Sequence, residues 1–215
     1  MEIDNINLTA TSYKQKWMEE WKLYAFRKRF VTVLITLFLV VTVNPYFFSY
    51  IQQRNGIELN DWLLNFIPQY DVSIPVFCIL WSMVLLAIWR AAQYPRFLII
   101  FGLTYLLLLV SRLISISLVP LNLPKGLINL HDPIINIFYG DQLITKDLFY
   151  SGHTATMFLI FLCMKNKYDK AFALFATIAI AILLLVQHVH YTIDVVAAPF
   201  FTYTLYILSK KIAAY

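Results

Sequence analysis

His153, His190 and Asp194 are the residues of this chain whose types and spacing carry the most chemistry. Positions 190 and 194 are four apart, which on a helix sets two side chains on one face with Cβ atoms about 5–6 Å apart. Asp194 would then accept the Nδ1 proton of His190. That bond fixes the tautomer, leaves Nε2 as a nucleophile or base and stabilises the imidazolium formed on attack. His153, reaching in from another helix, would give a proton to a leaving oxygen and later take one from an incoming hydroxyl. In outline this is a set for phosphoryl transfer. Ser151 and Thr154 flank it with hydroxyls, and Gly152 permits close approach at the start of a predicted helix, where first-turn N–H groups favour an anion. Two other readings compete: Ser151 as a simple N-cap, and a zinc site built from His153, His188 and His190. The second is weakened because residues two apart on a continuous helix point roughly 200° from one another.

These side chains must be held at one level, and the composition says by what. Of 215 residues, 60% are hydrophobic and 13% charged, with a mean hydropathy of +0.69, against roughly 25% charged for a soluble domain. That excludes disorder, a nucleic-acid reader and a soluble core with a charged shell. Six apolar stretches, at about 30–51, 73–92, 97–119, 151–165, 171–189 and 192–209, approach the roughly 20 residues needed to cross about 30 Å of hydrocarbon. The expected fold is an all-α integral membrane protein, a six-transmembrane-helix bundle with cytoplasmic termini. The fourth stretch is short, and Ser151, His153 and Thr154 make its start polar.

The expected organisation is a cytoplasmic amphipathic segment over 1–29, a membrane catalytic domain over 30–209 and a tail over 210–215. Trp17, Trp21 and Tyr24 recur at helical spacing beside lysines, as in an interfacial segment. The charged residues before the first apolar run, without a small-residue cleavage site after it, do not read as a signal peptide. Of 17 Lys and Arg, 13 fall on the side of the termini and three, Arg54, Lys125 and Lys146, on the other, with Arg112 inside the third stretch. By the positive-inside rule the termini are cytoplasmic, and His153, His190 and Asp194 meet at the extracytoplasmic face. Two longer segments lie there, 52–72 with the apolar patch Trp62 to Ile67, and 120–150. Cys78 and Cys163, each in an apolar run, read as packing thiols.

Ser151-Gly152-His153-Thr154, with Asp147 four positions before the serine, and His188-Val189-His190-Tyr191-Thr192-Ile193-Asp194-Val195 resemble the paired signatures of the sphingomyelin synthases, within the type 2 phosphatidic acid phosphatase superfamily. The resemblance spans roughly 60–208 and is dense over about 147–196. It implies a six-helix bundle with an external or lumenal site, His190 as nucleophile, Asp194 as its orienting carboxylate and His153 as acid and base. It also implies a covalent phospho-histidine, with neither metal nor cofactor.

Departures from the superfamily's phosphatase branch bear on substrate. Where that branch has an Arg-Pro, six residues after a lysine, this chain has Asp132-Pro133 after Lys125, and Leu184 stands where an arginine precedes the second histidine. Losing two cations hurts a dianionic phosphomonoester more than a monoanionic phosphodiester, so a phosphodiester donor is favoured. Arg112, similar to an arginine of the synthases in this span, would join Ser151, Gly152 and Thr154 in binding phosphate; the alternative is snorkelling to headgroups. Asp147, beside Lys146 where the family has glycine, and Tyr150 are the candidates for a cationic headgroup, with Tyr139 and Phe149 as a possible aromatic wall. His131 reads as a loop residue.

The expected activity moves a phospholipid headgroup phosphate through phospho-His190 to a ceramide-like hydroxyl. With water as acceptor the same site is a lipid phosphatase or a phospholipase C-type hydrolase. A non-catalytic transporter or assembly protein is the reading of a different class, since intramembrane His and Asp also serve proton relays. The expected partners are a membrane phospholipid and ceramide or diacylglycerol, with no nucleic acid; oligomeric state has no signal in the residues.

Overall fold

A computed structural model describes residues 13–130 and 145–213. His131, Asp132, Pro133, Tyr139 and Asp141 lie outside them. Eight helices occur among the described residues: α1 over 13–22, α2 Tyr24–Gln53, α3 Trp62–Phe66, α4 Ser73–Gln93, α5 Pro95–Leu118, α6 Gly152–Cys163, α7 Lys167–Val186 and α8 Thr192–Ala213. Five of them, α2, α4, α5, α7 and α8, are long and apolar enough to cross a membrane. Their outward faces stay apolar, as at Phe38, Leu85, Phe175 and Phe200, which suits lipid as solvent. This is an all-helical integral membrane protein.

The fourth apolar stretch, expected over 151–165, forms a helix within two residues of those bounds, and it is short, as its polar start suggested. α6 has 12 residues, about 18 Å at 1.5 Å per residue, short of the ~30 Å hydrocarbon core. The reason is local: Ser151 caps its start and Met164, in extended conformation, ends it. α6 is the central helix, packed against α4, α5, α7 and α8. Ala155, Met157, Leu159 and Ile160 are each no more than 1% exposed and belong to the main core. A helix sheltered by four others does not meet lipid along its length, so a polar first turn costs it little.

At the end of the bundle opposite the α6–α7 connection, three connecting segments bind one another. Ile57 N–H donates to the Pro120 carbonyl (2.8 Å) and Asn122 N–H returns a bond to the Ile57 carbonyl (3.0 Å). The Asn122 side chain bonds the Gly56 backbone at both its N–H and its carbonyl (3.1 and 2.8 Å). A Cβ at Gly56 would lie 2.5 Å from the Leu121 carbonyl carbon, so the pairing needs a glycine there. The Tyr191 hydroxyl, donating to the Asn122 carbonyl and accepting from Leu59 N–H (3.0 and 3.2 Å), ties both segments to the α7–α8 turn. At the other end Trp17 donates to the Ala92 carbonyl (2.8 Å), Glu20 pairs with Arg96 (2.6 Å), and Trp17 and Trp21 pack edge-on against Phe26 and Phe30. Cys78 is exposed and Cys163 buried, both as free thiols.

Candidate active site

The turn that delivers His190 is built by the end of α7. Val189 N–H bonds the Leu184 carbonyl (3.1 Å) and His188 N–H the Leu185 carbonyl (3.0 Å), the pair of bonds of a Schellman motif. The left-handed residue of that motif is usually glycine; here it is His188, with φ 55°. Its ring offsets the strain, since Nδ1 lies 2.8 Å from the Lys125 carbonyl and Nε2 3.0 Å from the Ile67 carbonyl. His188 is thus turned toward two connecting segments, and it does not join His190 and His153 as the zinc reading requires. Among the described residues no group of three His, Cys, Asp or Glu is arranged to hold a metal.

His190 and Asp194 meet, but not as neighbours on one helix face. α8 starts at Thr192, so His190 precedes it. Asp194 sits in the first turn and reaches back: its Oδ2 accepts from Tyr191 N–H (3.0 Å), half of a capping box, and lies 3.4 Å from His190 Nδ1. That is longer than a charge-assisted bond of about 2.8 Å, as such contacts often are before substrate binds. His190 is 2% exposed and Asp194 fully buried.

α6 brings the second set of residues to the same level. Ser151 N–H donates to the Asp194 carbonyl (3.1 Å), joining the starts of α6 and α8. The Ser151 hydroxyl caps α6 by accepting from Thr154 N–H (3.4 Å) and lies 3.1 Å from the Thr154 hydroxyl. Both side chains are buried. Gly152 opens the helix, and Arg112 from α5 lies directly against it: a Cβ on Gly152 would be 2.4 Å from Nη1. The guanidinium is held by the Tyr150 carbonyl, to which Nε donates at 3.0 Å, and by an ion pair with Asp147. It therefore covers the first turn of α6, where helix geometry leaves N–H groups without intrahelical acceptors.

Asp147 pairs with this cation and is close enough to both histidines to feel their charge. Burial would push its carboxyl up; the Arg112 guanidinium, with further help from His190 and His153 nearby, outweighs burial and holds it below the usual carboxylate range. The structure thus brings Arg112, Asp147, Gly152, His153, His190 and Asp194 to one locality, with His153 half-buried. Tyr150 is placed differently from a headgroup wall. It is fully buried, its ring stacked on Phe201 at 4.5 Å and its hydroxyl bonded to Ser111 at 2.6 Å.

Asp61 is the residue that sequence reasoning passed over. Its Oδ1 accepts from Leu64 N–H (3.1 Å), capping α3, and also from the Thr192 hydroxyl (3.0 Å), while Oδ2 accepts from Thr192 N–H at 2.6 Å. An Asp before Trp62-Leu63-Leu64 signals a local N-cap; nothing in the sequence signals the partner 131 residues away.

Residues 146–211 match the family model described as PAP2 superfamily C-terminal, an interval that contains Asp147, Ser151 to Thr154, His190 and Asp194 and leaves out Arg112. No curated protein matches the chain. Over residues 146–211 the chain is thus similar to the C-terminal part of the type 2 phosphatidic acid phosphatase superfamily, whose members are lipid phosphatases and phosphotransferases.

Proposed function

We propose that this protein is a lipid phosphotransferase that carries a headgroup phosphate on His190 from a phospholipid to a ceramide-like primary hydroxyl. His190 Nε2 attacks phosphorus, an N–P bond forms, and the bond to the diacylglycerol oxygen breaks as His153 gives that oxygen a proton. In the second half His153 takes the proton of the acceptor hydroxyl, the new P–O bond forms and the N–P bond breaks. Asp194 keeps the His190 proton on Nδ1 and balances the imidazolium. Arg112 and the start of α6 at Gly152 and His153 receive the phosphate oxygens, while Ser151 and Thr154 hold each other at the cap behind them.

The observation that carries this reading is the bond from Ser151 N–H to the Asp194 carbonyl, 3.1 Å. It joins the SGHT turn to the HYTxD turn, with Arg112 lying over Gly152. The phosphodiester preference is supported by the Arg112–Asp147 ion pair: a cation whose charge is shared with a carboxylate suits a monoanion better than a dianion. In this reading α6 makes the sixth crossing, with the four helices around it taking the place of lipid. Residues 1–29 and 210–215 are cytoplasmic, flanking the domain over 30–209, and the site opens at the extracytoplasmic face, where Asp147 faces the headgroup.

The test uses purified full-length protein in lipid nanodiscs containing phosphatidylcholine, phosphatidylethanolamine and phosphatidic acid, with and without ceramide, analysed by mass spectrometry beside His190→Ala. A phosphosphingolipid that appears only with ceramide and only with intact His190 is the expected result. Diacylglycerol and a soluble phosphate compound released regardless of ceramide would make the protein a hydrolase. Flux of protons or solute across sealed vesicles without lipid turnover would make it a transporter.

A further inference from the structure

We propose that Asp61 is a positioning residue for the His190–Asp194 pair, acting through the first turn of α8 and not on substrate. This rests on the catalytic roles given above. Thr192 opens α8, and both of its donors, the N–H and the hydroxyl, go to the Asp61 carboxylate (2.6 and 3.0 Å). Asp61 is itself fixed, because its Oδ1 also caps α3 at Leu64 N–H. Two residues beyond Thr192, Asp194 places Oδ2 against Tyr191 N–H and His190 Nδ1, but its Oδ1 is buried without a hydrogen-bond partner among the described residues.

That asymmetry is the basis of the inference. A catalytic carboxylate is normally oriented by donors on both oxygens; here one oxygen is held and the other is not. The orientation of Asp194 therefore depends on where the backbone of the turn sits. On one side Ser151 N–H holds the Asp194 carbonyl, and on the other Asp61 holds Thr192. Asp61 supplies an acceptor from outside the helix to its first N–H, at Thr192, in a turn whose N-cap residue, Tyr191, offers none because its side chain reaches instead to Asn122 and Leu59. Burial pushes the Asp61 carboxyl up, and the Thr192 and Leu64 donors outweigh it, leaving the group below its ordinary value. A charged cap also complements the positive end of the α8 dipole.

The consequence is a specific defect. Without Asp61 the first turn of α8 loosens, Asp194 no longer faces Nδ1, and His190 loses its fixed tautomer while the substrate-binding groups on α5 and α6 stay in place. The experiment is nitrogen NMR of labelled histidine in the full-length protein in nanodiscs, with His190 assigned by its loss in His190→Ala among the 4 histidines. It is read beside kcat and KM from the nanodisc assay. Asp61→Asn should convert His190 from a single Nδ1-protonated ring to a mixture of tautomers, and lower kcat about 10–100-fold with KM within about twofold. Thr192→Val, which removes only the hydroxyl bond, should do the same to a lesser degree, and it keeps the test decisive if Asp61→Asn fails to fold. Asp61→Glu should recover part of the loss. Variants that melt at lower temperature but keep the wild-type His190 tautomer and wild-type kcat per folded molecule would reduce Asp61 to a structural cap and overturn the proposal. The tautomer reading needs no substrate, so it decides the role of Asp61 even if the lipid assay sinks the phosphotransferase reading.

Discussion

Arg112 owes its place to the absence of a side chain on Gly152. No unusual backbone angle requires glycine there; the requirement is the guanidinium, which would lie 2.4 Å from a Cβ and is pinned by Asp147 and the Tyr150 carbonyl. Gly152→Ala should therefore leave the helix intact, displace Arg112 and lower kcat about 100-fold, the loss expected for a misplacement near 1 Å. Unchanged turnover in a steady-state assay would show that Arg112 is not needed where it sits. His153, His190 and Asp194 stand out in the sequence as candidates because each is an ionisable group beside an apolar run. The manner of their meeting was less legible. The four-residue spacing suggested a shared helix face, whereas Asp194 reaches back from the first turn of α8 to a His190 that precedes it. Tyr150, read as a headgroup contact, sits in the core because its ring stacks on Phe201 and its hydroxyl has Ser111.

The α7–α8 turn is the element that positions His190 in the candidate site, and it carries an uncommon residue at its pivot. His188 has φ 55°, a conformation costing an L-residue about 1–2 kcal/mol, and the hydrogen bond its one ring N–H donates, with Nδ1 beside the Lys125 carbonyl and Nε2 beside the Ile67 carbonyl, compensates. Both His188→Gly and His188→Ala lose that bond, but only alanine keeps the strain. Denaturant unfolding in detergent should find His188→Gly more stable than His188→Ala by about 1 kcal/mol, with both below wild type. Alanine equal to or above glycine would contradict this account of the turn. Apolar length predicted the spans within a few residues, because hydrocarbon thickness sets it. The fourth stretch was placed as closely, but at 12 residues α6 is too short to cross by itself, and the four helices around it shelter it in place of lipid. Asp61 escaped notice because a capping interaction over 131 residues leaves no periodic signal.

For the molecule as a whole, the charge asymmetry makes a prediction about sidedness. Lys125 is 83% exposed at the end that carries the site, and Lys167 opens α7 at the other end. In a background without Cys78 and Cys163, Lys125→Cys should react with a membrane-impermeant maleimide on intact cells, and Lys167→Cys only after permeabilisation. The reverse pattern would put the site on the cytoplasmic side. The charge asymmetry of the sequence is what suggests the orientation to be tested; in the bundle α5, α6 and α8 converge with Arg112, His153 and Asp194 at one end. The central claim is that phosphate passes through His190. It is tested most directly by rapid-quench mass spectrometry of the protein in nanodiscs with phosphatidylcholine and no acceptor lipid. The account predicts an acid-labile phosphocholine adduct on the peptide containing His190, absent in His190→Ala and discharged when ceramide is added. Turnover of the phospholipid without any adduct on His190 would contradict it.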